Sequence, residues 1–241
     1  MIERWLAFLT RNRYKIAVFA LLTAASVFCV MLVAARVAYS DSARYTNLVW
    51  NLFLAWIPFL LAYVVYALSW RRFWLYFAIP TVAFLWLIFY PNAPYILTDL
   101  QHLATYAADA PLWFDVILLV WFSWTGLLLG LVSLYLMHEV VHRNFGRLAG
   151  WLFVFAVSAL SSVGLYLGRF ARWNSWDLLQ NPSEVAMDIL GWVVSPNLRL
   201  LAFATLFTLF FLFAYLTLYA FGHLLREGEE GTAPHRLPWA R

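Results

Sequence analysis

Six long apolar runs dominate the chain, at residues 16–35, 48–69, 73–90, 113–137, 148–167 and 200–221. As helices rising about 1.5 Å per residue, each approaches or exceeds the roughly 30 Å of a bilayer's hydrocarbon core. The shortest, 73–90, has 18 residues, and without it the direction of every later segment would invert. Pro58 and Pro80 fall inside runs, where neighbouring helices tolerate a kink. The start is basic (Arg4, Arg11, Arg13, Lys15), but the 20-residue run that follows reads as an uncleaved first span. A cleaved secretion signal has a core of only about 7–15 residues. The pattern therefore predicts an all-α, polytopic membrane protein with six transmembrane helices. Residues 1–225 form one helical domain, with neither an internal repeat nor a low-complexity linker. A flexible tail is expected over 226–241, where Gly228, Glu229, Glu230, Gly231 and two prolines occur.

Composition sharpens this picture. The 241 residues are 65% hydrophobic and 12% charged, with a mean hydropathy of +0.76. A soluble domain carries about 25% charge and could not hide so much apolar surface. The 14 Trp suit a chain that crosses many interfaces. Cys29 is the single cysteine, which excludes an intramolecular disulfide and a cysteine-based zinc site. The net charge of +4 is unevenly spread and points to membrane orientation, not to nucleic acid. With six spans, eleven Lys and Arg fall on the face of the termini and five on the other. That bias predicts cytoplasmic termini in a bacterial inner membrane. Seven of the twelve carboxylates fall on the opposite, outer face, where polar chemistry is expected to concentrate.

Two polar stretches reach that face. The first is Tyr90-Pro91-Asn92-Ala93-Pro94-Tyr95, then Ile96 to Leu103 with Asp99 and His102. The prolines stop the third helix, and the amphipathic pattern beyond them predicts a short helix at the interface or dipping back into the protein. It sets Asp99, His102 and Tyr106 on one side and Leu100, Leu103 and Ala107 on the other. The second stretch runs Gly168-Arg169-Phe170-Ala171-Arg172-Trp173-Asn174-Ser175-Trp176-Asp177. Arg169 and Arg172 share a helix face, and the tryptophans suit headgroup level. With Asp115 in the first turn of the fourth span, the expected constellation is Asp99, His102, Asp115 and Asp177 as candidate catalytic groups. Asn92, Tyr95, Arg169, Arg172, Trp173, Asn174 and Trp176 would bind an anionic or lipid-linked substrate from the bilayer, because guanidiniums match phosphates and carboxylates. The carboxylates and His102 suit proton transfer or a divalent cation. The structural reading of the same residues is a set of Arg–Asp pairs that lock the loops.

Two glycine pairs, Gly126/Gly130 and Gly164/Gly168, are spaced to let another backbone approach, and close packing of those two spans is the expected use. Asn47 and Asn51, also four apart, are expected to seek interhelical hydrogen bonds.

The run from Pro91 to Asp99, the stretch Gly168-Arg169-Phe170 with Arg172 to Asp177, and Trp50-Asn51-Leu52-Phe53-Leu54-Ala55-Trp56-Ile57-Pro58 together resemble a family of bacterial integral membrane proteins catalogued as domain of unknown function 1361. The resemblance covers the chain from the second span to Pro182. It implies that these residues form the family's common site, and it supplies no reaction.

On the other face stands His138-Glu139-Val140-Val141-His142. This is the H-E-x-x-H pattern, in which two histidines one turn apart bind zinc and the glutamate acts as general base. His223, or else Glu227, would be the third ligand. The same residues also suit a solvated helix end, since histidines there favour the helix dipole. Three classes therefore remain: an outer-face binding protein or enzyme, a non-catalytic scaffold or assembly partner, and a zinc metalloprotease at the inner face.

Overall fold

The computed structural model describes the backbone of residues 2–69, 72–105, 109–194 and 198–231, and within them the side chains outside 2–9, 11–12, 72–78, 104–105, 192–194 and 224–231. The described residues are 91% helical, and no strand occurs among them. The elements are α1 (Ile2–Ser40), α2 (Thr46–Leu68), α3 (Arg72–Phe89), α4 (Asn92–Tyr95) with a 3-10 helix (Ile96–Thr105), α5 (Leu112–Phe145), α6 (Arg147–Tyr166) with a π-helical turn (Leu167–Ala171), α7 (Asp177–Gln180), α8 (Pro182–Val194) and α9 (Leu198–Gly231). Six stretches are long and apolar enough to cross a membrane: Arg13–Ser40, Thr46–Leu68, Ile79–Leu103, Leu112–Phe145, Arg147–Ala171 and Leu198–His223. The chain is a multi-pass helical membrane protein.

The marginal third crossing is completed in two pieces. Pro91 and Pro94 interrupt the regular helix after α3, and α4 with the 3-10 helix carries the span on to Leu103. Of the two placements expected for this segment, it takes the inward one, since Ala93, Ile96 and Asp99 are all buried. Ser123 of α5 donates to the Ile96 carbonyl at 3.3 Å. Ser123 lies 11 residues, about 16 Å, into its helix, so the broken segment packs beside the body of α5 and not at its tip.

The glycines explain how it fits. A Cβ on Gly126 would stand 2.8 Å from the Ala93 carbonyl oxygen, and one on Gly130 would stand 3.2 Å from the Ala93 Cβ. From the other side, a Cβ on Gly164 would stand 2.8 Å from Pro91, and one on Gly168 would stand 3.2 Å from Tyr95. α5 and α6 do pack on each other, with Gly150 against His138, and at both glycine pairs they also receive the segment 91–96 between them. Dispersion contacts drive such packing, because lipid tails are as apolar as the side chains they replace. We expect Gly126→Ala to destabilise the protein by about 1–3 kcal/mol, because a backbone carbonyl must move. Gly191 of α8 has nothing within 4 Å of its would-be Cβ, so Gly191→Ala should melt like the parent. Thermal unfolding in detergent measures both.

Two apolar clusters flank the segment. One joins α2, α3, α5, α6 and α9 around Trp86, Leu134, Val157 and Tyr215, and the other joins α1, α2 and α5 around Leu48, Phe59, Leu118 and Phe122. Trp86 donates to Ser133 at 2.7 Å and Ser133 to the Pro58 carbonyl at 3.0 Å, which ties α3, α5 and α2. Tyr106 and Ala107 lie outside the described residues, as do residues 232–241 of the expected tail and the side chains of Arg72 and Glu227.

Candidate functional site

The third span's broken segment brings Asp99 to a position 1% exposed, facing α2 and the π-helical turn. Asn51 of α2 donates to Asp99 Oδ2 at 2.9 Å. Arg169 donates through Nη1 to Asp99 Oδ1 at 3.1 Å and to the Tyr95 hydroxyl at 3.2 Å, and through Nη2 to the Thr98 carbonyl at 2.8 Å. The Gln101 carbonyl, turned toward the guanidinium, accepts from Arg169 Nε at 2.7 Å. His102 Nε2 stands 3.5 Å from Asp99 Oδ1. The Arg169 fork is thus consumed by the protein, and the pair clamps the 3-10 helix to the end of α6. Arg169 sits within the π-helical turn, a local irregularity that is frequent at functional sites.

Beside this clamp opens a cleft of about 110 Å³, lined by Trp50, Asn51, Asn92, Tyr95, Trp173 and Asn174, among others. Its floor is the Pro91–Gly164 contact. Its lip is the loop 172–176, which Arg172 starts in the left-handed region at φ 61°. Asn92 Nδ2 bonds the Phe89 carbonyl at 2.9 Å and Ser175 Oγ at 2.7 Å, holding that loop over the cleft. Trp173 Nε1 donates to Asp188 at 2.8 Å, and Asp177 accepts from the Asn174 backbone at 2.6 Å and from its side-chain amide at 3.2 Å. Trp176 precedes α7, and its carbonyl accepts from the Leu179 and Gln180 amides at 3.0 Å. Arg172 is exposed and has no ion-pair partner among the described residues. No carboxylate lines the cleft. Asn92 spends both amide N–H groups on the protein, and Asn51 spends one of its two on Asp99.

Two expected members are elsewhere. Asp177 closes its own loop. Asp115, completely buried, accepts from Arg36 Nε at 2.8 Å and from Arg36 Nη2 at 3.3 Å. Arg36, itself 1% exposed, also reaches Asp109 at 2.9 Å and Ser40 at 3.0 Å, and its guanidinium carbon lies 5.0 Å from the Tyr45 ring centroid. The hydrogen bond from Arg36 holds the Asp109 carboxyl below the usual carboxylate range. The expected convergence of Asp99, His102, Asp115 and Asp177 is therefore corrected to Asp99 and His102 with Arg169. Asp115 has a separate partner because α1 and α5 meet there. Arg36 carried no sequence signal beyond its charge.

The histidine motif folds differently from a zinc site. His138 Nδ1 is 2.6 Å from the Tyr215 hydroxyl, and its Nε2 is buried against Gly150 with no hydrogen-bond partner among the described residues. His142 stacks 5.9 Å from His138. His223 Nδ1 is 2.7 Å from the Tyr219 carbonyl, and the Tyr219 ring stacks on His223 at 4.2 Å and lies 5.9 Å from His138. Among the described residues no three His, Cys, Asp or Glu side chains are grouped to hold a metal ion. His138, His142 and His223 therefore do not fit zinc in this arrangement, since a tyrosine ring stands among them.

Comparison with curated proteins and with solved structures gave no match. The family described as "Protein of unknown function (DUF1361)" matches residues 50–216. That span begins at Trp50, includes the broken segment and both glycine pairs, and ends after Tyr215. It leaves out all of α1, and with it Arg36. The residues of the clamp and of the cleft all lie inside the match, and the chain belongs to this family of proteins of unknown function.

Proposed function

We propose that the protein is a binding protein of the outer leaflet of a bacterial inner membrane, both termini cytoplasmic, which holds the hydroxyl-bearing headgroup of a lipid or lipid-linked substrate in the cleft beside Trp50 and Asn92. The observation that carries this reading is the chemistry of the walls. Two indoles, a phenol and three amides line a cleft that opens from a buried clamp whose charges are already neutralised. An uncharged polar wall with aromatic faces suits a ligand that has hydroxyl donors and C–H faces, since amide oxygens accept the first and indoles pack on the second. About 110 Å³ fits a small headgroup and not a whole lipid, whose chains would stay in the bilayer.

Mass spectrometry of the protein released intact from nanodiscs tests it. A hydroxyl-bearing lipid should be retained by the parent and lost, or held about tenfold more weakly, in Trp50→Ala, a change equivalent to about 1.4 kcal/mol. Trp50 is largely exposed, so its removal leaves the core intact. Equal retention by both proteins would sink the reading. It would favour the scaffold alternative, which the internal pairing of Asp99 and Arg169 also supports; a stable protein partner would then be expected on purification.

A further inference from the structure

The fifth crossing ends at Ala171 and the sixth begins at Leu198, so the stretch between them starts and finishes on the membrane face that carries the cleft. Within it α8, at 13 residues about 20 Å long, is too short to cross a bilayer. It packs chiefly on α7. We propose that α8 is seated in the leaflet on that face, with Ala186, Met187 and Leu190 among the lipid chains, and that this seat holds the lip of the cleft at the membrane surface. Only the hold on the lip rests on the reading of the cleft.

The helix has three sides. Val185 is buried and Ile189, four residues on, is half-buried, so this side faces the protein. Glu184 and Asp188, also four apart, make an acidic side. Ala186, Met187 and Leu190 share the third side through spacings of three and four, and all are exposed, Met187 at 63% and Leu190 at 60%. A helix with a charged side and an apolar side lies in the plane of a bilayer interface. No lysine or arginine occurs between residues 173 and 198, so attraction to anionic headgroups contributes nothing and the seat depends on apolar area.

The neighbouring chain identifies lipid as what covers the third side. Leu178 and Leu179 of α7, just before it, are exposed, and so are Leu198 and Leu201, which open the sixth crossing just after it. The last two belong to a span, where exposed apolar side chains meet lipid, and the apolar side of α8 continues that surface along the chain. α8 in turn carries the lip. Asp188 accepts from Trp173 Nε1 at 2.8 Å, and Trp173 lines the cleft. That bond runs from the acidic side of a seated helix to the loop 172–176, so the depth of α8 sets where the cleft opens relative to the headgroups.

Spin labelling of the full-length protein in phosphatidylcholine nanodiscs is the test. The single cysteine, buried Cys29, is first replaced by Ser, and labels are then attached through Glu184→Cys, Met187→Cys and Leu190→Cys. Labels at 187 and 190 should lie about 5–10 Å into the headgroup–acyl boundary and be relaxed more by oxygen than by a nickel chelate, with the reverse at 184. Nickel access at 187 and 190 equal to that at 184, whether from a helix in water or from a misfolded chain, would overturn the seat. So would low access to both reagents, since a second copy or another protein would then cover this side. Release from nanodiscs that also carry a glucosyl diacylglycerol, followed by mass spectrometry, tests the lip. Asp188→Ala should lose that lipid about as Trp50→Ala does, with the labels at 187 and 190 still at depth. Loss in Trp50→Ala alone would refute the hold on the lip and leave the cleft standing. Loss in neither would refute the cleft and with it the hold on the lip, while the labels alone decide the seat.

Discussion

Arg36→Met is expected to destabilise the folded protein by about 3–5 kcal/mol, the usual cost of stranding one member of a buried ion pair. Asp115 is completely buried and receives two bonds from Arg36. Without the guanidinium it must either stay ionised in apolar surroundings or take up a proton, and both cost free energy. Asp109→Ala should melt close to the parent, because that carboxylate is 29% exposed and water replaces the contact. The double variant Arg36→Met/Asp115→Leu removes both charges and should recover most of the loss, since apolar side chains of similar volume often replace a buried pair without penalty. Thermal unfolding in detergent reads all three. A parental melting temperature for Arg36→Met would show that the pair does not hold α1 to α5.

How much of this was legible beforehand differs by the range of the interaction. The six spans follow from hydropathy alone, because only a helix satisfies its own backbone inside lipid. Their ends are less even: Gly146 marks the stop of α5 at Phe145, whereas α1 starts at Ile2, and its polar extension leaves no trace in an apolar run. The glycines at 126, 130, 164 and 168 announced a close approach, but spacing on one helix cannot name the visitor, and at those four positions it is segment 91–96. Asn51 was read as a seeker of an interhelical bond and found Asp99. Asp115 was read as a candidate catalytic group of the outer face, and it is instead the buried partner of an arginine. That the partner is Arg36, 79 residues away, depends on how α1 packs against α5.

Asp99→Ala is the second large effect, expected at about 3–5 kcal/mol, because Arg169 is only 10% exposed and loses its counter-charge. The outcome that matters is how stability and ligand retention move together. If Asp99 and Arg169 position the site, the double variant Asp99→Leu/Arg169→Met should regain most of the lost stability, and lipid retention should return with it, since neither residue lines the cleft. Asp99→Asn preserves the shape and one acceptor oxygen for Arg169, so it should lie between the parent and Asp99→Ala in melting temperature, with retention following in the same order. Asp99→Asn that melts like the parent yet holds no lipid would reverse the assignment and make the carboxylate itself the group that meets the ligand. Melting curves and lipid mass spectrometry on the same preparations decide between a clamp that shapes the cleft and a charge that works in it.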